Sequence, residues 1–263
     1  MSMGRILPVP SAKCGVRSEP VGHGYTPGTA RWAHPVESVQ MRAQPYFTPE
    51  LFDFLKRLKR NNRRDWFEKH RGEYETLVLR PAVRFIEELA PHLYRISPYL
   101  VADARPYRGS LFRIYRDTRF AHDKRPYKSH AAMQFSHPGK DVHSPGFYLH
   151  LEPGSCFAAS GLWHPDTRTL LKTRTAMVAR ADEWRKVRRL LNWDDAGKLT
   201  RPPRGFPADH EFVEDLKLRD IGTSIDFTEQ QVCSPRFLQT FAAACRKMAP
   251  LAGFLSHAVG LKF

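Results

Sequence analysis

GFYLHLEPGSCFAAS, residues 146–160, is the stretch that decides the fold class. Its centre, Glu152-Pro-Gly-Ser155, is typical of a tight turn, because proline and glycine interrupt regular structure and adopt turn conformations readily. The flanking segments, 146–151 and 155–160, have the length and the aromatic and aliphatic content of short strands. The sequence therefore predicts an antiparallel hairpin here.

The surrounding sequence extends this hairpin into a larger sheet between helices. Two further strands are predicted upstream, at 110–115 and 132–135, and one more within 216–227. Apolar residues at helical spacing precede and follow this region. We therefore predict an α+β fold with one antiparallel sheet of about four to six strands in the middle of the chain, packed by N- and C-terminal helices.

Proline and capping residues mark the expected helix starts. Thr48-Pro49, His164-Pro165-Asp166 and Ser234-Pro235 each combine a proline with a residue that can cap a helix. Asn61-Asn62 is expected to end the first helix and to cap the second. Pro81 is expected to start or kink a further helix, because proline is tolerated in a first helical turn but not in the interior.

Residues 1–45 do not have the pattern of a folded unit. Pro, Gly and Ser recur there without apolar periodicity, so burial would not offset the entropy lost on ordering the chain. We predict a disordered extension over residues 1–45; a natural start at Met41 would explain this segment equally well. A single α+β domain is predicted over residues 46–260.

Composition narrows the classes of protein that the chain can represent. No apolar run reaches the ~18 to 20 residues that cross a bilayer, so no membrane partner is expected. The cysteines lie far apart without a CxxC pair, which favours free thiols and a cytoplasmic location. Lys and Arg number 42 against 27 Asp and Glu. The resulting charge of +15 suits a nucleic-acid partner, and it equally suits a solvated basic surface.

The densest chemistry lies in RIYRDTRFAHDKRPYK, residues 113–128. Guanidinium groups bind phosphate or carboxylate oxygens through paired hydrogen bonds, and aromatic rings can stack a base or sugar. The mixture suits a phosphate-bearing ligand, whereas the alternative is a surface loop whose arginines pair with nearby acids. The candidate ligand-binding residues are Arg113, Arg116, Arg119, Lys124, Tyr127 and Lys128.

The predicted hairpin carries a second candidate group. Alternation along its first strand separates an apolar face from a polar one. The apolar face has Phe147, Leu149 and Leu151, and the polar face has Tyr148, His150 and Glu152. A histidine and a carboxylate two residues apart can transfer protons or ligate a metal, and they also suit a hydrogen-bonded polar sheet face. We take Asp117, His150 and Glu152 as candidate catalytic residues, while the sequence specifies neither a metal nor a cofactor.

The stretches SLFRIYRDTRF (110–120) and DKRPYK (123–128) resemble the hallmark of the bacterial and fungal proteins grouped as domain of unknown function 2461. Three more stretches are similar to that family, in the same order along the chain: 47–75, 146–166 and 201–210. The resemblance covers roughly residues 46–260. It implies one folded domain with an important central motif, and it implies no established activity.

Three functions are compatible with these observations. The first is binding or processing of a nucleotide, nucleic acid or phosphorylated metabolite through the basic motif. The second is a metal-dependent hydrolase or phosphoesterase that uses Asp117, His150 and Glu152. The third is a non-catalytic interaction protein whose arginines form a structural ion-pair network. The sequence contains no glycine-rich phosphate loop, HExxH or G-x-S-x-G motif that would select an enzyme class.

Overall fold

The computed structural model describes residues 44–119, 122–139, 143–193 and 197–263. Apart from its last two residues, the extension predicted over 1–45, with Met41, lies outside the described residues. All described residues belong to one compact unit.

Four strands form one antiparallel sheet, in which neighbours along the chain are also neighbours in the sheet. They are β1 (Ala131–Ser136), β2 (Gly146–Glu152), β3 (Ser155–Leu162) and β4 (Ile221–Phe227). The predicted hairpin is confirmed, since β2 pairs with β3 from Phe147 opposite Ser160 to Glu152 opposite Ser155. Gly154 in its turn has a φ of +80°, a conformation that favours glycine. The α+β prediction with a mid-chain antiparallel sheet is confirmed as well.

The strand predicted at 110–115 is wrong. Among the described residues this segment forms two isolated bridges, Leu111 with Met133 and Tyr115 with Tyr127. Its backbone follows the edge of β1 as far as Phe112, whose N–H donates to Ala132 at 2.9 Å. The chain then turns away from the sheet, so pairing with β1 ends before a full strand can form.

Helices lie before and after the sheet region, as predicted. They are α1 (Pro49–Arg60), α2 (Arg64–Lys69), α3 (Arg71–Tyr74), α4 (Arg80–Tyr94), α5 (Thr167–Ala179), α6 (Ala181–Val187), α7 (Val213–Leu216), α8 (Glu229–Val232) and α9 (Phe237–Ala258). A π-helical turn, Glu75–Leu79, joins α3 to α4. None of the described helices combines the length and the apolar character needed to cross a membrane.

Most of the predicted helix starts are confirmed. Thr48 is the N-cap of α1 with Pro49 as its first residue, and Asp166 caps α5 by accepting the Thr169 N–H at 2.6 Å. The final helix begins at Phe237, later than the Ser234-Pro235 signal, because Ser234 first closes a short turn by accepting the Arg236 N–H. The prediction that Asn62 caps α2 is wrong, since its side chain is used elsewhere.

The inner face of the sheet packs against α9 and the N-terminal helices. Phe147, Leu149 and Leu151 are fully buried there, as alternation along β2 predicts. A second apolar cluster surrounds the buried Trp184, next to Leu162 at the end of β3. The packing of α9 against β2, β3 and β4 fixes the orientation of the sheet. As a result, the polar side chains of β2 lie on the opposite, outer face.

Candidate functional site

The basic motif leaves the edge of β1 and returns to it. On the way out, the Arg116 N–H donates to the Pro126 carbonyl at 2.9 Å, and on the way back the Lys128 N–H donates to the Ile114 carbonyl at 2.8 Å. Ser129 and His130 then lead directly into β1. The motif therefore stands beside the outer face of the sheet at the point where β1 begins.

Tyr127 and Asn62 anchor the returning arm of the motif. The Asn62 side chain donates to the Tyr127 carbonyl at 2.9 Å and accepts the Tyr127 N–H at 3.0 Å, which reproduces the hydrogen bonding of a β-bridge. The Tyr127 ring is 1% exposed and stacks on Phe67 at a centroid distance of 4.2 Å. Tyr127, a candidate ligand contact in the sequence, thus lies in the apolar core.

Three arginines of the motif pair with its two aspartates. Asp123 binds Arg116 at 2.5 Å and Arg125 at 2.6 Å, and Asp117 binds Arg119 at 2.7 Å. Hydrogen bonds from Arg119 lower the pKa of Asp117 to about 2, so this carboxylate is charged at neutral pH. These contacts bring the predicted residues Arg116, Arg119 and Asp117 into an ion-pair network.

The other predicted cations have different environments. Arg113 is exposed and has no ion pair with the described part of the chain. The Lys124 ammonium donates to the Thr118 carbonyl at 3.0 Å. The Lys128 ammonium lies 5.1 Å from the centroid of the Phe112 ring, and burial together with the charge of Arg113 lowers its pKa. Lys128 and Arg113 thus form no ion pair in the described part of the chain, although Arg113 lies near enough to Asp117 for its charge to lower the pKa of that carboxyl.

Two histidines and a glutamate converge on the outer sheet face. His150 and Glu152 come from β2, and His130 immediately precedes β1; one ligand atom from each lies within 4.8 Å of the other two. The His150 Nε2 is 3.4 Å from a carboxylate oxygen of Glu152, and the rings of His130 and His150 are 4.4 Å apart. We name these three residues the outer-face cluster. Asp117, the third predicted catalytic residue, is outside it.

The sequence signals did not identify His130. In the β1–β2 register Ala131 lies opposite Leu151 and Ala132 opposite His150, so continuing the register by one residue places His130 opposite Glu152. The histidine joins the cluster through strand pairing rather than through spacing along the chain. Knowledge of that register is the signal that would have found it.

Neighbouring polar groups hold the cluster in position. The Tyr148 hydroxyl is 2.8 Å from the His150 Nδ1. Glu152 accepts hydrogen bonds from the Lys59 ammonium at 3.2 Å and the Ser129 hydroxyl at 3.1 Å. The His150 ring also stacks on the Phe157 ring, with their centroids 4.8 Å apart. The side chains of His150 and Glu152 are consequently only 12% and 22% exposed.

Electrostatics give the cluster two neutral imidazoles and one carboxylate at neutral pH. Burial, then repulsion by His150 when that ring is protonated and by the charge of Lys128, lowers the pKa of His130 to about 4. Burial also lowers the pKa of His150. Burial by itself would raise the pKa of Glu152, but hydrogen bonds from Lys59, His150 and Ser129 lower it below its usual value. Neutral imidazoles and an ionised carboxylate are the protonation states in which these side chains bind divalent metals.

Acidification should destabilise the metal-free protein between about pH 6.5 and pH 4. Because the pKa of His130 is lower in the folded state, the unfolded chain takes up the proton first, and falling pH favours unfolding. The decrease in the free energy of unfolding that His130 causes has an upper limit of about 3 kcal/mol, since one pKa unit corresponds to about 1.4 kcal/mol. Urea unfolding of the wild type and His130→Gln across this range measures it. Equal pH slopes for the two proteins would contradict the lowered pKa.

The two aspartates of the ion-pair network should contribute differently to the stability of the fold. Asp117→Asn is expected to keep the melting temperature within about 2–4 °C of the wild type, because exposed ion pairs contribute little. Asp123→Asn removes the acceptor shared by Arg116 and Arg125, so it should lower the melting temperature more. Thermal melts of the two variants make the comparison, and a larger loss for Asp117→Asn would reverse this ranking.

Two clefts of about 520 and 330 Å³ lie away from the outer-face cluster. Both are lined by His164, which follows the end of β3, whereas Glu152 precedes the start of that strand. The clefts are thus at the opposite end of the sheet. Neither cleft is lined by a residue of the outer-face cluster, so these clefts and the metal-ligating side chains lie in separate places.

Comparison with protein-family models gives one clear result. The model described as "Conserved hypothetical protein (DUF2461)" matches residues 50–254, which include the helices α2–α8, the whole sheet and the basic motif. Neither the curated proteins nor the solved structures contain a match to this chain. The matched range spans most of the sequence and confirms the resemblance carried by the motif. The chain therefore belongs to the domain of unknown function 2461 family.

Proposed function

We propose that the protein is a divalent-metal-dependent hydrolase of phosphate esters, with His130, His150 and Glu152 as metal ligands. The observation that carries the proposal is the convergence of two imidazole nitrogens and one carboxylate within 4.8 Å. Two histidines and a glutamate are a ligand set that zinc uses in hydrolases, where the remaining position takes water or substrate. Zinc is accordingly the first metal to test.

The surroundings of the cluster suit this role. Without a metal, the His150 Nε2–H donates to Glu152; metal binding would require the other tautomer, in which Nδ1 donates its proton to the Tyr148 oxygen and Nε2 presents its lone pair to the metal. Lys59 and Ser129 orient the Glu152 carboxylate in the same way. A metal held here would lower the pKa of its bound water to near neutrality, which makes a hydroxide nucleophile available.

Nearby positive charge favours an anionic substrate. Lys128 and Arg116 lie close enough to the cluster for their charges to lower the pKa of His130. Arg116 is committed to Asp123, whereas Lys128 and Arg113 form no ion pair among the described residues, although the charge of Arg113 also acts on Asp117. These two cations are the ones that we assign to the phosphate group, where they would stabilise the negative charge that develops during hydrolysis.

Metal-dependent turnover tests the proposal. The full chain, treated with a chelator, should hydrolyse a member of a panel containing a mononucleotide, an oligonucleotide and a sugar phosphate only after zinc or manganese is restored. The panel also separates the three expected substrate classes, and oligonucleotide turnover would identify nucleic acid as the partner of the basic surface. Isothermal titration should give one metal per chain. A protein that binds neither metal would overturn the proposal.

Lys128→Met should raise the KM for the phosphate ester at least about tenfold while leaving metal affinity unchanged, because charged hydrogen bonds are worth about 1.5–3 kcal/mol. Lys124→Met is the matched control, since the Lys124 ammonium donates to the Thr118 carbonyl within the motif. Steady-state kinetics on the metal-loaded protein measure both variants. Equal effects of the two substitutions would remove Lys128 from the site.

The ion-pair network favours a second candidate function. Arg116, Arg119 and Arg125 are paired with Asp117 and Asp123, which supports a structural role for these arginines in a non-catalytic interaction protein. The two functions differ in one observable property. Metal binding without turnover of any substrate in the panel would favour the interaction protein over the hydrolase.

A further inference from the structure

The cleft of about 330 Å³ beside α5 is remote from the outer-face cluster. Its volume falls within the range of small-molecule sites, which is about 300–1,000 Å³. The residues that matter for its chemistry are His164, Thr167, Leu170, Arg174, Arg219 and Asp220. It therefore combines an apolar wall with two arginines and one carboxylate.

Arg174 is the unusual residue of this cleft. Arg174 is buried, with 8% of its surface exposed, although its side chain carries a full positive charge. Within the described residues its guanidinium makes one hydrogen bond, from Nη2 to the Leu218 carbonyl at 3.0 Å, and the buried Nε makes none. No described acidic side chain forms an ion pair with it. An uncompensated buried cation is costly, so the fold retains a charge here that nothing within the described protein balances.

The other polar groups of the cleft are consistent with an anion. Arg219 is exposed and has no ion pair in the described ranges, so it offers a second guanidinium. Thr167 is the first residue of α5, whose N-terminal end carries partial positive charge. The Asp220 carboxylate is engaged by His164, accepting its backbone N–H at 2.6 Å and lying 3.5 Å from its ring Nδ1. This contact holds His164 at a φ of +46°, which is uncommon for a residue other than glycine.

We propose that this cleft binds the phosphate group of a small molecule, with Arg174 as the buried counter-charge and Arg219 as the exposed one. Two guanidinium groups match a dianion better than a monoanionic carboxylate, and their planar forks suit phosphate oxygens. Pro165, Leu170 and Leu199 provide an apolar surface for the remainder of the ligand. The site is independent of the outer-face cluster, because none of its residues contributes to the metal ligands.

Thermal melts of the metal-free full chain with inorganic phosphate test the site. At constant ionic strength we expect a saturable rise in melting temperature, because a ligand that binds only the folded state stabilises it. Phosphate also stabilises proteins generally by exclusion from their surfaces, but that effect does not saturate and persists in every variant. Acetate is the monoanion for comparison. No saturable response to phosphate, or an equal response to acetate, would overturn the proposal.

Substitutions of residues that line the cleft test whether phosphate binds there. Arg174→Met should weaken phosphate binding at least about tenfold, since hydrogen bonds to charged groups are worth about 1.5–3 kcal/mol. Arg168→Gln on the same helix is the matched control, because Arg168 is exposed and does not line the cleft. If Arg174→Met does not fold, Arg219→Gln should weaken phosphate binding, and Asp220→Asn should strengthen it by removing the one negative charge that lines the cleft. An unchanged affinity in Arg174→Met, or in both of the other two variants, would overturn the assignment.

Discussion

His150→Ala is expected to abolish zinc binding at the outer-face cluster. The substitution removes the ligand whose ring contacts both of the other two residues, His130 and Glu152. The remaining histidine and carboxylate cannot complete a three-ligand site. The loss should exceed the roughly 10–100-fold that removal of an outer-shell hydrogen-bond partner costs. Isothermal titration of chelator-treated wild type and variant with zinc measures the difference.

Two further variants, with a smaller expected effect and with no expected effect on zinc affinity, show whether the loss is specific to the ligand His150. Tyr148→Phe removes the hydroxyl group next to the His150 Nδ1 and should weaken zinc binding by about 10–100-fold. His257→Gln replaces an exposed histidine at the end of α9 and should leave the affinity unchanged. Far-UV circular dichroism checks that each variant is folded. If His150→Ala bound zinc as tightly as His257→Gln, the ligand assignment would be wrong.

Tyr127→Ala should lower the free energy of unfolding by about 3–5 kcal/mol, as truncation of other buried aromatic residues does. The Tyr127 ring is 1% exposed and packs between Phe67 and Tyr115, so truncation leaves a cavity in the core beneath the basic motif. Urea unfolding of the wild type and variant measures the loss.

Two further variants separate packing from other effects of this substitution. Tyr127→Phe keeps the ring and should retain most of the stability. Tyr107→Ala is the surface control, because Tyr107 is 70% exposed, and it should change the free energy of unfolding little. A loss for Tyr127→Ala no larger than that for Tyr107→Ala would show that the motif is not anchored through this ring.

Local sequence patterns predict where most helices, strands and turns lie, but they do not predict which strand pairs with which segment. The turn at Glu152–Ser155 and the alternation along β2 depend on neighbouring residues, and both predictions hold. The segment 110–115 also has the residue types of a short strand, but a strand requires a partner of matching length, and here pairing with β1 stops at Phe112. Patterns within a segment do not contain that information.

The residues of the candidate site show the same difference between what local patterns predict and what depends on strand pairing. His150 and Glu152 share a strand face because of a two-residue spacing, which the sequence displays. His130 reaches them through the pairing register of two strands, which the sequence does not display. The arginines of the motif were recognised as a group, yet whether Arg116 binds an aspartate or a ligand depends on the path of the loop. The loop folds so that Asp123 meets Arg116.

The side chain of Asn62 forms hydrogen bonds with the backbone of Tyr127, which lies 65 positions further along the chain. The amide proton of Tyr127 belongs to no regular strand, yet it is held by this side chain, so its exchange with solvent requires the connection between α1 and α2 to separate from the motif. Such an opening would release the returning arm of the motif while the four-stranded sheet stays intact. Amide hydrogen exchange would then place Tyr127 in the same cooperative unfolding unit as the N-terminal helices rather than with the sheet that the motif adjoins.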